Sequence, residues 1–172
     1  MNFQEAIQSV LSKYATFNGR ASRSEYWWYF LFTVIVSIIL GAISDTLSNI
    51  FNLAVFLPGL AVLVRRLHDV GKSGWYALLF YMPFVLLTAY FIYIMSKVDL
   101  KAFEANDTEA LKNALADSSP GLLAILGLLC IVSVIYMLVL LCRAGDDGTN
   151  AYGVNPLTGG DIDEIESIGN NN

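Results

Sequence analysis

Apolar residues along this chain gather into four long stretches, Tyr26–Ile43, Leu47–Val64, Trp75–Met95 and Leu122–Leu141, none of which contains Asp, Glu, Lys, Arg or His. A helix rises about 1.5 Å per residue and a bilayer's hydrocarbon core is about 30 Å thick, so some twenty apolar residues cross it. The first, third and fourth stretches fit that length. The second reaches it only by including Ser48, Asn49 and Asn52, and it carries Pro58-Gly59 near its middle. A breaker is tolerated there if neighbouring helices satisfy the backbone groups it frees; a re-entrant segment is the alternative. The pattern predicts an all-α polytopic membrane protein, a bundle of four transmembrane helices forming one domain over residues 1–156.

Outside the spans the periodicity changes. Phe3, Ile7, Val10, Leu11 and Tyr14 recur at helical spacing with Gln4, Glu5, Gln8, Ser12 and Lys13 between them, which predicts an N-terminal amphipathic helix. It would lie on the inner membrane surface or pack on the protein's own loops. Ser22 followed by Glu25 fits a capping box at the start of span one, and Tyr26, Trp27, Trp28 and Tyr29 suit headgroup depth. Asp107 or Thr108 can cap a short helix carrying Leu111 and Leu115, ended by Ser118-Ser119-Pro120. The segment 157–172 is rich in Gly, Asn and acid and lacks periodicity, which predicts disorder.

Composition agrees with a membrane domain: 56% of residues are hydrophobic, 15% are charged and mean hydropathy is +0.57. Some 25 largely polar residues precede the first span, which argues against a cleaved signal peptide. The net charge of −5 says less than its distribution. Of ten basic residues, Lys13, Arg20, Arg23, Arg65, Arg66, Lys72 and Arg143 fall on one side of the membrane, and Lys97, Lys101 and Lys112 on the other. The positive-inside rule therefore places both termini in the cytoplasm.

Three polar motifs share that cytoplasmic side: Phe17-Asn-Gly-Arg-Ala-Ser-Arg-Ser-Glu-Tyr-Trp-Trp28, Arg65-Arg-Leu-His-Asp-Val-Gly-Lys-Ser-Gly-Trp75 and Gly145-Asp-Asp-Gly-Thr-Asn-Ala-Tyr-Gly-Val-Asn-Pro156. Their combination closely resembles the YhaH-like bacterial inner-membrane proteins, a family of unknown function numbered 805. The resemblance implies a small polytopic inner-membrane protein and brings no activity with it.

Chemistry must then be read from the residues. Arg20, Arg23, Arg65, Arg66 and Lys72 set five cations near inner headgroup level with Trp27, Trp28 and Trp75. Guanidinium groups there can grip phosphate bidentately, or serve only as topology determinants and snorkelling anchors. A buried cation needs a carboxylate, and Glu25 and Asp69 are the acids at hand, so an ion pair between the first two motifs is expected. His68, the single histidine, could form a protonation switch with Asp69. Alternatively Asp69 pairs with Arg65 or Arg66 while His68 caps a helix end.

Other chemistries are poorly supported. Gly71 and Gly74 around Lys72-Ser73 lack the Walker spacing, and Asp146-Asp147-Gly148 lacks the ligand alternation of a calcium loop. Cys130 and Cys142 are twelve residues, about 18 Å, apart along a helix and cannot share a metal or a disulfide. No cofactor, metal site or catalytic set is expected. The sequence points to a non-catalytic module that binds lipid headgroups or a protein through its basic cytoplasmic face. A small transporter or channel built from an oligomer is the alternative, with Ser37-xxx-Gly41 as a seam, and a membrane-embedded enzyme comes third. Membrane lipids, anionic ones included, and a second copy of the chain are the candidate partners; nucleic acid is not.

Overall fold

A computed structural model of the protein describes residues 1–97 and 108–158. These form six helices among the described residues: α1 (Phe3–Ser12), α2 (Arg23–Ile43), α3 (Asp45–Asp69), α4 (Tyr76–Met95), α5 (Thr108–Asp117) and α6 (Pro120–Cys142). Four of them, α2, α3, α4 and α6, are long and apolar enough to cross a membrane. The second span is one continuous helix of 25 residues rather than a re-entrant segment. The expected cap at Asp107 and the segment 159–172 lie outside the described residues.

The chain groups into two compact units, Met1–Tyr76 with the described residues from Leu140 on, and Ala77–Val139. In the second unit the Tyr90 hydroxyl receives a hydrogen bond from the Ser119 backbone N–H at 3.0 Å, where α5 gives way to α6.

The first unit is organised by α2 and α3, which reverse direction through Ser44 alone, a residue in extended conformation (φ −165°, ψ 129°). That short link fixes their register. Ser37 donates to Asn52 Oδ1 at 2.6 Å, Ser48 donates to the Ser37 carbonyl at 3.3 Å, and Gly41 faces Ser48. The small residues Ser37 and Gly41 thus serve contact within the chain. Without water to drive helices together, such close packing and interhelical hydrogen bonds hold them.

Helix α1 packs on both. Its Val10 joins Ala21, Tyr29 and Val62 in a buried cluster flanked by Tyr26, Phe32 and Val55. Its first turn carries a complete capping box, in which Glu5 N–H donates to Asn2 Oδ1 at 2.9 Å and Asn2 N–H donates to Glu5 Oε2 at 2.8 Å. At α2 only half of the expected box forms. Ser22 Oγ accepts from the Glu25 N–H at 3.2 Å, but the Glu25 carboxylate turns inward to other partners.

Pro58 sits inside α3. Having no N–H, it leaves the carbonyl of Ala54 without its helical donor and disturbs the next turn. The Tyr14 hydroxyl donates to that Ala54 carbonyl, and the Tyr29 hydroxyl donates to the Val55 carbonyl at 3.2 Å. Two tyrosines from separate segments therefore repair the break, as lipid-surrounded backbone requires.

Burial is inverted relative to a water-soluble domain. On α3, Leu53 is 78% exposed whereas Arg65 is 1% exposed and Arg66 fully buried. A surface built from residues such as Ile38, Ile43, Leu53 and Phe56 would promote aggregation in water and is ordinary solvent contact in lipid.

Candidate functional site

The three polar motifs converge on the C-terminal end of α3. That end closes with a Schellman motif: Gly71, at φ 69°, donates to the His68 carbonyl at 3.1 Å, and Lys72 N–H donates to the Leu67 carbonyl at 2.9 Å. Carbonyls of this last turn also take donors from the other motifs. Ala21 N–H donates to Arg65 O at 3.0 Å, Asn150 Nδ2 to His68 O at 2.9 Å, and Asp146 N–H to Asp69 O at 2.8 Å.

Two ion-pair systems lie beneath. Arg65 Nη1 meets Glu25 Oε1 at 2.9 Å, and the same oxygen accepts from Ser9 Oγ at 3.1 Å. Asp69 is shared: Oδ1 faces Arg20 at 2.9 Å, while Oδ2 accepts from Arg66 one turn back. The expected ion pair between the first two motifs is present twice over, as Glu25–Arg65 and Arg20–Asp69.

Arg20 and Arg66 also cap backbone. Arg20 Nη1 donates to the carbonyls of Gly148 at 2.6 Å and Gly153 at 3.3 Å, and Nη2 donates to that of Asp146. Arg66 donates to the carbonyls of Leu141, at 3.2 Å, and Arg143. These are the carbonyls at the end of α6, where the helix dipole presents partial negative charge. Three guanidinium groups thus face two carboxylates, one helix C-terminus and a row of carbonyl oxygens. Two of the three positive charges are matched by carboxylates and the third is offset by the partial negative charge of carbonyls at helix C-termini, as burial of charge requires.

The five cations Arg20, Arg23, Arg65, Arg66 and Lys72, expected as one basic face, are therefore divided between interior and surface. Arg20, Arg65 and Arg66 are 6%, 1% and 0% exposed and have spent their donors inside the protein, apart from Nε and Nη2 of Arg65, which have no hydrogen-bond partner among the described residues. Arg23 and Lys72 remain at the rim. Neither has a carboxylate within ion-pair distance among the described residues. Arg23 Nη1 reaches the Cys142 carbonyl at 3.4 Å, and Lys72 Nζ stands 5.6 Å from the Tyr76 ring centroid. Trp28 is 39% and Trp75 is 75% exposed.

His68 does not pair with Asp69 and does not cap a helix. Its Nδ1 lies 3.2 Å from the Gly19 carbonyl, and its ring stacks on Tyr152 with centroids 3.9 Å apart and planes 4° from parallel. The third motif fits tightly. Gly145 lies so close to Asp69 that an added Cβ would fall 2.2 Å from Oδ2. Sequence reasoning missed Ser9, Tyr14, Asn150 and Tyr152. Only the Gly and Asn content of the third motif signalled a built turn there. Among the described residues no three His, Cys, Asp or Glu side chains converge as metal ligands would.

The family model described as "Protein of unknown function (DUF805)" matches residues 14–104, more than half of the chain. The chain belongs to this family. The matched stretch contains the first two motifs, with Arg20, Glu25, Arg65, Arg66 and Asp69; the third motif lies beyond it. The inner membrane protein YhaI of Escherichia coli (strain K12) is 48% identical over 84 residues, covering 45% of this chain and 71% of YhaI. The inner membrane protein YhaH of the same strain is 41% identical over 87 residues, covering 44% and 72%. The uncharacterized protein YiiR, also of that strain, is 35% identical over 78 residues, covering 42% and 53%. No solved structure matches the chain.

Proposed function

We propose that this protein is a non-catalytic module of a bacterial inner membrane that holds anionic phospholipid headgroups at its cytoplasmic face. The observation that carries the reading is the division of labour among the cations. Arg20, Arg65 and Arg66 are consumed by internal carboxylates and carbonyls, whereas Arg23 and Lys72 stand at the rim without a described carboxylate partner, beside exposed Trp28 and Trp75. Tryptophan favours the headgroup level, and each basic residue there contributes about 1 kcal/mol toward an anionic leaflet. The inner-membrane relatives and the seven-to-three division of basic residues support a cytoplasmic rim and cytoplasmic termini.

The experiment is native mass spectrometry of protein extracted from bacterial membranes in mild detergent. Phosphatidylglycerol or cardiolipin should be retained over phosphatidylethanolamine. Replacing Arg23 and Lys72 together with Gln should abolish the preference while leaving the fold intact, because neither side chain belongs to the buried network. Retention in proportion to bulk membrane composition, unchanged by the double variant, would overturn the reading.

A further inference from the structure

Beside the rim, the first turns of α2 form one wall of an open cleft of about 710 Å3, whose other side is closed by Cys142 at the end of α6. That volume lies within the range of about 300–1,000 Å3 typical of small-ligand pockets. Its lining changes character along the helix. Arg23 and Ser24 line it in the first turn of α2, Trp27 and Trp28 one turn on, and Phe30 and Leu31 beyond them. From residue 23 to residue 31 the helix rises about 12 Å, so the cleft runs from a cationic end through two indoles to hydrocarbon-like walls.

We infer that this cleft is a stoichiometric site for one anionic glycerophospholipid, its phosphate on Arg23 and one acyl chain along Trp27, Phe30 and Leu31. The proposal rests on the headgroup-binding reading above and narrows it from a charged rim to a single seat. Charge complementarity selects the occupant. The Arg23 guanidinium is exposed, and its one hydrogen bond to a described residue is the 3.4 Å contact to the Cys142 carbonyl. Four of its five N–H donors are therefore uncommitted among the described residues and can fork onto phosphate. The indole N–H groups of Trp27 and Trp28 make no hydrogen bond to another described residue, which leaves two donors on the cleft wall. The edge of the Phe3 ring packs on Trp28 with centroids 5.7 Å apart, so α1 helps to hold the Trp28 wall. Arg23 has no carboxylate partner among the described residues, and a phospholipid supplies the opposing charge and the apolar tail together.

Fluorescence quenching by brominated lipid tests this. The chain has three tryptophans, so Trp75→Phe leaves Trp27 and Trp28 as reporters. The protein is reconstituted in phosphatidylcholine vesicles containing brominated phosphatidylglycerol, or brominated phosphatidylcholine as control. The expected result is a saturable quenching component at low mole fraction of brominated phosphatidylglycerol only. Arg23→Gln should raise the half-saturating fraction at least tenfold, and Leu31→Trp, with its bulk in the cleft, should abolish saturable binding of phosphatidylglycerol measured by native mass spectrometry without changing any charge. A preference that survives Arg23→Gln but is lost in Lys72→Gln overturns the cleft and leaves the charged rim standing. Equal quenching by both lipids in every variant overturns both.

Discussion

Removing the Glu25 carboxylate tests whether the buried network is held by charge balance. Arg65 is 1% exposed, its one described carboxylate contact is Glu25 at 2.9 Å, and its Nε and Nη2 have no partner among the described residues. Glu25→Leu therefore strands a buried cation, which costs about 3–5 kcal/mol. Arg65→Met strands the carboxylate instead. Glu25 keeps the Ser9 hydroxyl at 3.1 Å and can take up a proton, so this cost is nearer the 1–3 kcal/mol of a buried group that loses one partner. The double variant leaves neither charge, and exchanging a buried pair for packed apolar residues is commonly close to neutral. The double variant should thus be more stable than Glu25→Leu alone, with a coupling of about 3 kcal/mol or more. Reversible unfolding in mixed detergent and SDS micelles, followed by far-ultraviolet circular dichroism, measures all four proteins. Additive losses, or a Glu25→Leu cost below about 1 kcal/mol, would mean that Arg65 reaches headgroups or water, and the reasoning from burial would be wrong.

Two further predictions concern α3 and the orientation of the chain. Tyr14→Phe should cost about 1 kcal/mol by the same unfolding assay, the scale of hydrogen bonds inside membranes, and should become nearly silent in a Pro58→Ala background, where a restored N–H serves the Ala54 carbonyl; a cost unchanged by Pro58→Ala would refute the repair. In a background lacking Cys130 and Cys142, a cysteine at position 73 should resist an impermeant maleimide applied to intact cells while one at position 113 reacts, and the reverse pattern would invert the derived topology.

The spans were legible because each is a long run without ionisable residues, a signal that needs no tertiary information. The Glu25–Arg65 pair was legible for a different reason: few acids lie near the basic motifs, so electrostatics left little choice of partner. What the sequence concealed is which cations are closed off. Burial of Arg20 depends on carbonyls of Asp146, Gly148 and Gly153, more than 120 residues away, and Arg66 depends on the end of α6. No local pattern encodes those contacts. Tyr14 likewise reads as the last apolar position of an amphipathic helix, while its hydroxyl serves a carbonyl 40 residues later. The contact of Ser37 and Gly41 with Ser48 is set by the single-residue reversal at Ser44, a register that periodicity alone does not fix.

These placements bear on why so small a membrane domain should bury charge at all. Lipid tails are as apolar as leucine, so helices in a bilayer gain little from hiding leucine against leucine, and apolar faces specify neither neighbour nor register. Forked guanidinium groups that require particular oxygens specify both. Arg20 demands Asp69 and the turn after α6, Arg65 demands Glu25, and Arg66 demands Asp69 and the last carbonyls of α6. A wrong register would leave a buried cation unpaired at a cost of several kcal/mol, so the same contacts that make these motifs conspicuous also select one packing of α1, α2, α3 and the segment from Leu140 on. Their assembly role accounts for Arg20, Glu25, Arg65, Arg66 and Asp69 without any ligand. The network leaves out Arg23 and Lys72, which have no carboxylate partner among the described residues and stand at its edge with Trp28 and Trp75 exposed.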